Sequence, residues 1–163
     1  MRPRIRPFED RDAGAVIDLS LRAWAPVFES IERVLGPEIF GRQYPEGWRI
    51  DQRRAVEDVL AANEGWVWVA EVNGTAVGFV AVELDHPERG MGETSMLAVD
   101  PEHQGGGVGS ALTEFALDRL RDAGMGVAMV ETGGDPGHAA ARRRTYEKAG
   151  YVLWPVAKYF KNL

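Results

Sequence analysis

Gln104-Gly105-Gly106-Gly107-Val108-Gly109 is the segment of this chain best suited to chemistry. It follows the apolar, strand-like run Met96-Leu97-Ala98-Val99 and opens directly into Ser110-Ala111-Leu112-Thr113-Glu114-Phe115, which has a helical pattern. Strand, bare glycines, then helix start make a phosphate cradle. Glycine has no Cβ, so successive backbone N–H groups can close on an anion, and a helix's first turn adds unsatisfied donors and a positive dipole end. No lysine is needed. The chain has no cysteine, which excludes disulfides, thiolate metal sites and a cysteine nucleophile. His86, His103 and His138 lack the spacing of a metal site. Catalysis here is therefore acid–base or electrostatic.

Other readings of the loop fit less well. A flexible glycine linker would not have helix and strand patterns abutting it so closely. Gly105, Gly107 and Ser110 loosely mimic a dinucleotide fingerprint, but such glycines come straight off a first strand. Here Asp100-Pro101-Glu102-His103-Gln104 intervenes past mid-chain. A Walker loop would need Lys-Ser or Lys-Thr after the last glycine, and none follows.

The loop and a later segment together resemble a known family. Met96 to Leu112 is similar to the acyl-CoA motif of the GNAT acetyltransferases: Gln or Arg, two residues, Gly, one residue, Gly or Ala. Gln104, Gly107 and Gly109 occupy those places. Thr145-Tyr146-Glu147-Lys148-Ala149-Gly150-Tyr151 resembles the family's late helix, which ends Tyr-Glu-Lys-x-Gly-aromatic. The resemblance implies acetyl-CoA as co-substrate, its pyrophosphate on the N–H groups of Gln104, Gly105, Gly106, Gly107, Val108 and Gly109, with Ser110 near the helix start. It also implies a strand splayed from its neighbour. By position the Leu97 N–H would face the thioester carbonyl, and Val99 would bond the pantetheine arm as an added strand does.

Tyr146 is the implied acid for the departing thiolate. A phenol titrating near ~10 can protonate or hydrogen-bond a thiolate whose acid titrates near ~8.5; core packing with a satisfied hydroxyl is the alternative. An alkylammonium near ~10.4 must lose its proton to a carboxylate, directly or through water. Glu93 is the first choice, because strand alternation puts Glu93, Ser95, Leu97 and Val99 on one side. It also matches a catalytic glutamate of some family members. Glu83 and His86 are the fallbacks. Arg142-Arg143-Arg144 are candidates for the nucleotide phosphates, set against a solvated helix face. His138 stands eight residues before Tyr146, near where the family often carries an asparagine on the pantetheine arm; this chain has Ala139 at the matching place. Trp24, Phe28, Tyr44 and Trp48 fall in the segment that forms the acceptor pocket, with core packing expected for at least half of them.

These groups need elements to hold them. Arg4-Ile5-Arg6 can form a first strand, and Asp10 to Ala23 reads as a helix with its stripe at Ala13, Val16, Ile17 and Leu21. Pro26 to Trp48 is irregular, interrupted at Pro37 and Pro45, before a helix from Ile50 to Ala62. Strands Trp66 to Val72 and Thr75 to Leu84 flank Asn73-Gly74, a strong hairpin signal. The strand Glu93 to Val99 runs into the glycine loop and the helix Val108 to Arg121. Gly126 to Glu131 predicts a strand, Pro136 to Lys148 a helix and Tyr151 to Phe160 a final extended segment. The order matches the α/β fold that the resemblance implies: a mixed, mostly antiparallel central sheet flanked by helices, in a single domain over residues 1–163. Only Tyr151 to Leu163 follow Gly150, and Pro155 among them cannot donate to a ladder. The closing strands are abbreviated or a partner chain completes the edge, which suggests a homodimer.

Bulk properties agree. The chain has 163 residues, 45% hydrophobic and 27% charged, enough for one domain with a proper core. Net charge −6 argues against nonspecific binding to nucleic acid or anionic membranes. Met1 to Pro7 is basic but leads to no apolar signal core, and Trp66 to Ala70 is too short to span a bilayer, so the expected location is the cytoplasm. The expectation is direct acetyl transfer to the amine of a small molecule or peptide. Rival readings are a catalytically silent acyl-CoA-binding module and, more distantly, a dinucleotide-binding oxidoreductase.

Overall fold

In the computed structural model, which describes residues 2–62, 65–139 and 142–163, the chain begins as strand β1, Arg4–Pro7. Arg6 on that strand donates to both carboxylate oxygens of Asp12, at 2.7 and 2.9 Å, and to Glu71 at 2.8 Å. The guanidinium holds the Asp12 carboxyl below the usual carboxylate range against the opposing effect of burial. It thereby ties the start of the first helix to the sheet.

Helix α1 runs over Ala13–Leu35 and passes straight through Pro26. The sequence expectation of a helix ending at Ala23 is thus too short. Proline removes one backbone hydrogen bond from the turn, but Phe28 and Ser30 beyond it are buried, so burial of the far half holds the helix together. Gly36, at φ +79°, ends it. The second half of α1 and helix α2, Pro37–Gln43, occupy most of the span expected to be irregular, and helix α3, Trp48–Ala62, matches the helix expected from Ile50.

Strands β2, Val67–Val72, and β3, Thr75–Leu84, form the expected hairpin. Asn73 and Gly74 both take positive φ, +51° and +81°, as the tight turn between twisted strands requires. Strand β4, Met91–Val99, leads into helix α4, Val108–Asp122, and β5, Val127–Met129, returns parallel to β4. The sheet order is β1-β2-β3-β4-β5, antiparallel up to β4.

Both faces of this sheet are covered, which explains why its central strands read as near-continuous apolar runs. Trp68, Ala70, Val80 and Val82 pack against Leu112, Ala116 and Leu120 of α4. Val67, Val69, Phe79, Ala81 and Ala98 pack against Val16, Ile17 and Leu19 of α1 and Val56 of α3.

Two expectations for the C-terminal part are corrected. The helix from Pro136 to Lys148 is a 3-10 turn, Pro136–His138, and a π-helix, Arg142–Glu147; Ala140 and Ala141 between them lie outside the described residues. The final extended segment joins no strand: among the described residues, nothing beyond Met129 belongs to the sheet. Val152, Trp154, Val156 and Tyr159 are each more than four-fifths exposed. Among the described residues, no helix is long and apolar enough to cross a membrane.

Candidate active site

A third correction concerns β4 itself. Ala81 of β3 pairs with Met96, but Val82 pairs with Thr94, so Ser95 has no partner opposite it. This bulge reverses the strand's alternation. Leu97 and Val99 share the α4 face with Val80 and Gly78, whereas Glu93 shares the α1 face with Glu83. Glu93 is therefore not on the side of Leu97 and Val99 as simple alternation predicts. The extra residue accounts for the change.

β5 pairs with β4 only at Met91, Gly92 and Glu93. Beyond them the outer edge of β4 is open, and the split widens into a cleft of about 1100 Å³. The backbone pattern shows which groups face it. Asp100 N–H donates to the Val77 carbonyl at 2.8 Å, which makes Val99 and Gly78 a pair that exchanges no main-chain hydrogen bonds. By the antiparallel alternation, the N–H groups of Val99 and Leu97 then point away from β3 into the split. The Val99 carbonyl on the same side accepts from Gln104 Nε2 at 3.0 Å. Thus the Gln104 side chain ties the glycine loop to the strand's end.

The loop continues this wall. Gly107 caps α4 at φ +84°, a left-handed conformation that strongly favours glycine. A Cβ there would meet no protein atom within 4 Å. Gly105, Gly107, Gly109 and Ser110 line the cleft. Gly106 is absent from that lining, and the Val108 side chain is buried in the core against the sheet; their contribution can come only from the main chain. The first N–H groups of α4 have no partner within the helix, so the cleft carries oriented donors, with open space beside Gly105 and Gly107.

Opposite the loop, Tyr146 reaches the cleft from the π-helix. Its ring meets Tyr151 edge-on at 5.9 Å, and Thr94 of β4 opposes the rise that burial gives the Tyr151 phenol. Burial raises the Tyr146 phenol to about 12, with Tyr151 adding to the shift. The hydroxyl is thus a proton-bearing group throughout the neutral range.

Glu93 lines the cleft from the α1 side, with Trp24 and Val27 of α1 and Gln52 of α3. Its carboxyl lies above the usual carboxylate range, chiefly through burial; nearby His86 opposes the shift, and Glu83 and Glu131 add to it. Of Trp24, Phe28, Tyr44 and Trp48, Trp24 alone lines the cleft. Phe28 stacks on Trp48 at 4.4 Å and meets Tyr44 edge-on, so these three pack where α1, α2 and α3 meet.

His138 borders the cleft, but its Nδ1 is engaged by Asp135. Asp135 also accepts from the Gly137 N–H at 2.8 Å. These contacts hold its carboxyl below the usual range despite burial. Of the three consecutive arginines, Arg144 lines the cleft, whereas Arg142 donates to the Gly133 carbonyl at 2.7 Å.

Sequence reasoning missed Glu131, Thr132 and Gly133 in the cleft wall, and the Asp100–Arg22 ion pair that joins α1 to the start of the glycine loop. Asp100 also accepts from Glu102 N–H at 3.0 Å. The Asp-Pro pair before the loop was the available signal, since Asp caps such turns through its side chain.

The acetyltransferase (GNAT) family model matches residues 37–151. A mycothiol acetyltransferase of Thermobispora bispora is 30% identical over 166 residues, covering 98% of this chain and 50% of its own length. The chain spans about half the length of the curated relatives it matches. Among solved structures, the PaiA N-acetyltransferase of Thermoplasma acidophilum, in complex with coenzyme A, superposes with a TM-score of 0.68 at 14% identity, covering 96% of this chain and 94% of that one. A GNAT family acetyltransferase of Brucella melitensis, in complex with acetyl-CoA, gives 0.58 at 22% identity, covering 92% and 82%. These likenesses bear out the fold.

Proposed function

This chain belongs to the acetyltransferase (GNAT) family, and we propose that it is an acetyl-CoA-dependent N-acetyltransferase that passes the acetyl group directly to a primary amine. The observation that carries this reading is the split beside β4, with the outward N–H groups of Leu97 and Val99 on one wall and the Cβ-free start of α4 at its end. Residues 1–163 then act as a single N-acetyltransferase domain in the cytoplasm.

The cradle residues fit a diphosphate, because oriented main-chain donors face open space at Gly105 and Gly107. In this reading Val99 N–H receives the pantetheine arm, and Leu97 N–H stabilises charge developing on the acyl oxygen. Glu93 takes the amine proton from the α1 side, where Trp24 and Val27 form the acceptor wall. The bulge supports this division of labour: nucleophile and thioester approach from opposite faces of β4. Tyr146 supplies a proton or hydrogen bond to the leaving sulfur.

A thiol-release assay over a panel of amines tests the reading, and a cysteine-free chain adds no thiol of its own. The relatives' name places mycothiol-related amines first on that panel. Release of coenzyme A with at least one amine is expected. Tight acetyl-CoA binding without release for any amine would leave only a silent binding module.

Tyr146→Phe is expected to lower kcat by about tenfold to a hundredfold, with the Kd for acetyl-CoA nearly unchanged. Equal turnover in that variant would strip Tyr146 of its role. The exposed apolar side chains of residues 152–160 are covered by a second copy of the chain in this reading. Sedimentation velocity at micromolar concentration should then report a dimer, and a monomer would remove the idea.

A further inference from the structure

The connection between β3 and β4 carries an imidazole, His86, to which the mechanism above gives no task. His86 Nε2 lies 3.1 Å from Oε2 of Glu93, and its Nδ1 lies 3.7 Å from Oε1 of Glu83. Glu83 and Glu93 are themselves register partners on adjacent strands. The imidazole is held over them by its own backbone: His86 N–H donates to the Met91 carbonyl at 3.0 Å, and Gly90 N–H donates to Asp85 Oδ1 at 2.7 Å across the same turn.

Exposure separates the members of this cluster. The Glu93 side chain is 16% exposed and borders the cleft, whereas His86 is 48% exposed and does not line it. A proton taken up by Glu93 therefore sits in a mostly closed site, one contact away from a ring in open water. Among the described residues, the charged groups facing Glu93 are His86 from the turn, Glu83 from β3 and Glu131 beyond β5. Of these only the imidazole has two ring nitrogens, one toward Glu93 and one away from it, so it can take a proton on one and release a proton from the other.

We propose that His86 is the exit for the catalytic proton. The proton leaves the acceptor amine for the Glu93 carboxylate and then passes to Nε2 of the neutral imidazole, which restores Glu93. The imidazolium, with its Nδ1–H toward Glu83, gives a proton to water, and exchange with solvent resets the ring. Once Glu93 is protonated, its O–H can donate across the 3.1 Å contact only to an unprotonated Nε2, so the neutral ring then carries its proton on Nδ1, on the side of Glu83. His86 acts through Glu93 and does not touch the substrate; it is a positioning and proton-carrying residue. This rests on the reading of Glu93 as the base.

His86→Ala in the full chain tests it, assayed with acetyl-CoA and the best amine of the panel. A kcat about tenfold to a hundredfold lower is expected, with acetyl-CoA affinity retained. Added imidazole should restore turnover in proportion to its free-base concentration and leave both the parent and Glu93→Gln unaffected. A purely structural role for His86 would not produce that rescue. His86→Gln, closer in size, should show the same loss without comparable repair by imidazole, since its side chain fills the gap. Parental turnover, within about twofold, in both His86 variants overturns the proposal, as does a loss in His86→Ala that imidazole leaves untouched. An inactive Glu93→Gln beside a fully active His86→Ala removes only the exit. A fully active Glu93→Gln removes the base on which it rests.

Discussion

Gly107→Val should give a folded protein that no longer takes up acetyl-CoA. Gly107 caps α4 at φ +84°, where a side chain costs about 1–2 kcal/mol. A domain of this kind has about 5–15 kcal/mol of stability, so the variant still folds, with its Tm lowered by about 2–8 °C. A Cβ at this position meets no protein atom within 4 Å; the new methyls project into the mouth of the cradle instead. There they hold a diphosphate off the N–H groups of the first turn, and contacts that depend on main-chain approach are lost together. Calorimetric titration against acetyl-CoA, with a melting curve beside it, separates the two effects. Undiminished affinity in a folded variant would refute the cradle.

Glu93→Gln is expected to lower kcat/KM by about a hundredfold to ten-thousandfold, the range for a lost general base. The amide keeps the shape and the contact with His86 but cannot accept a proton. The pH profile supplies a second readout. Burial raises the Glu93 carboxyl above the ordinary carboxylate range, with Glu83 and Glu131 adding and His86 opposing. With Glu93 as the proposed base, activity needs the ionised form, and the parental rate is expected to fall as pH drops through that raised value. The acid limb should therefore lie above the usual carboxylate range, and Glu93→Gln should lose it. An unchanged rate and an unchanged limb would move the base elsewhere.

Much of the architecture that holds these groups was legible beforehand. Asn73-Gly74 fixed the β2–β3 hairpin because two adjacent residues with positive φ suit only a few turns. The run from Val99 through the glycines into Val108 marked the junction of β4 and α4, because glycine there relieves a local steric conflict. Residues far apart in the chain, such as Glu93, Gly107 and Tyr146, share one cleft. What failed depended on distant partners. Pro26 is a helix breaker by local rules, yet α1 continues because Phe28 finds Trp48 to stack on. The four aromatics expected near the acceptor divide into one cleft residue and three packing residues, a matter of which helix faces which.

The bulge at Ser95 shows most clearly where local reading stops. Side-chain alternation along a strand follows from backbone geometry, so the residues themselves predict two faces for β4. Which face carries Glu93 depends on β3, because the extra residue is defined only against the strand it pairs with. The sequence by itself determined the β2–β3 hairpin, the β4–α4 junction with its glycines and the family. Tertiary structure alone decided the phase of β4, the opening beside β5 and the meeting of His86 with Glu93. Local preferences act over a few residues, whereas register and contact are settled by what a segment packs against.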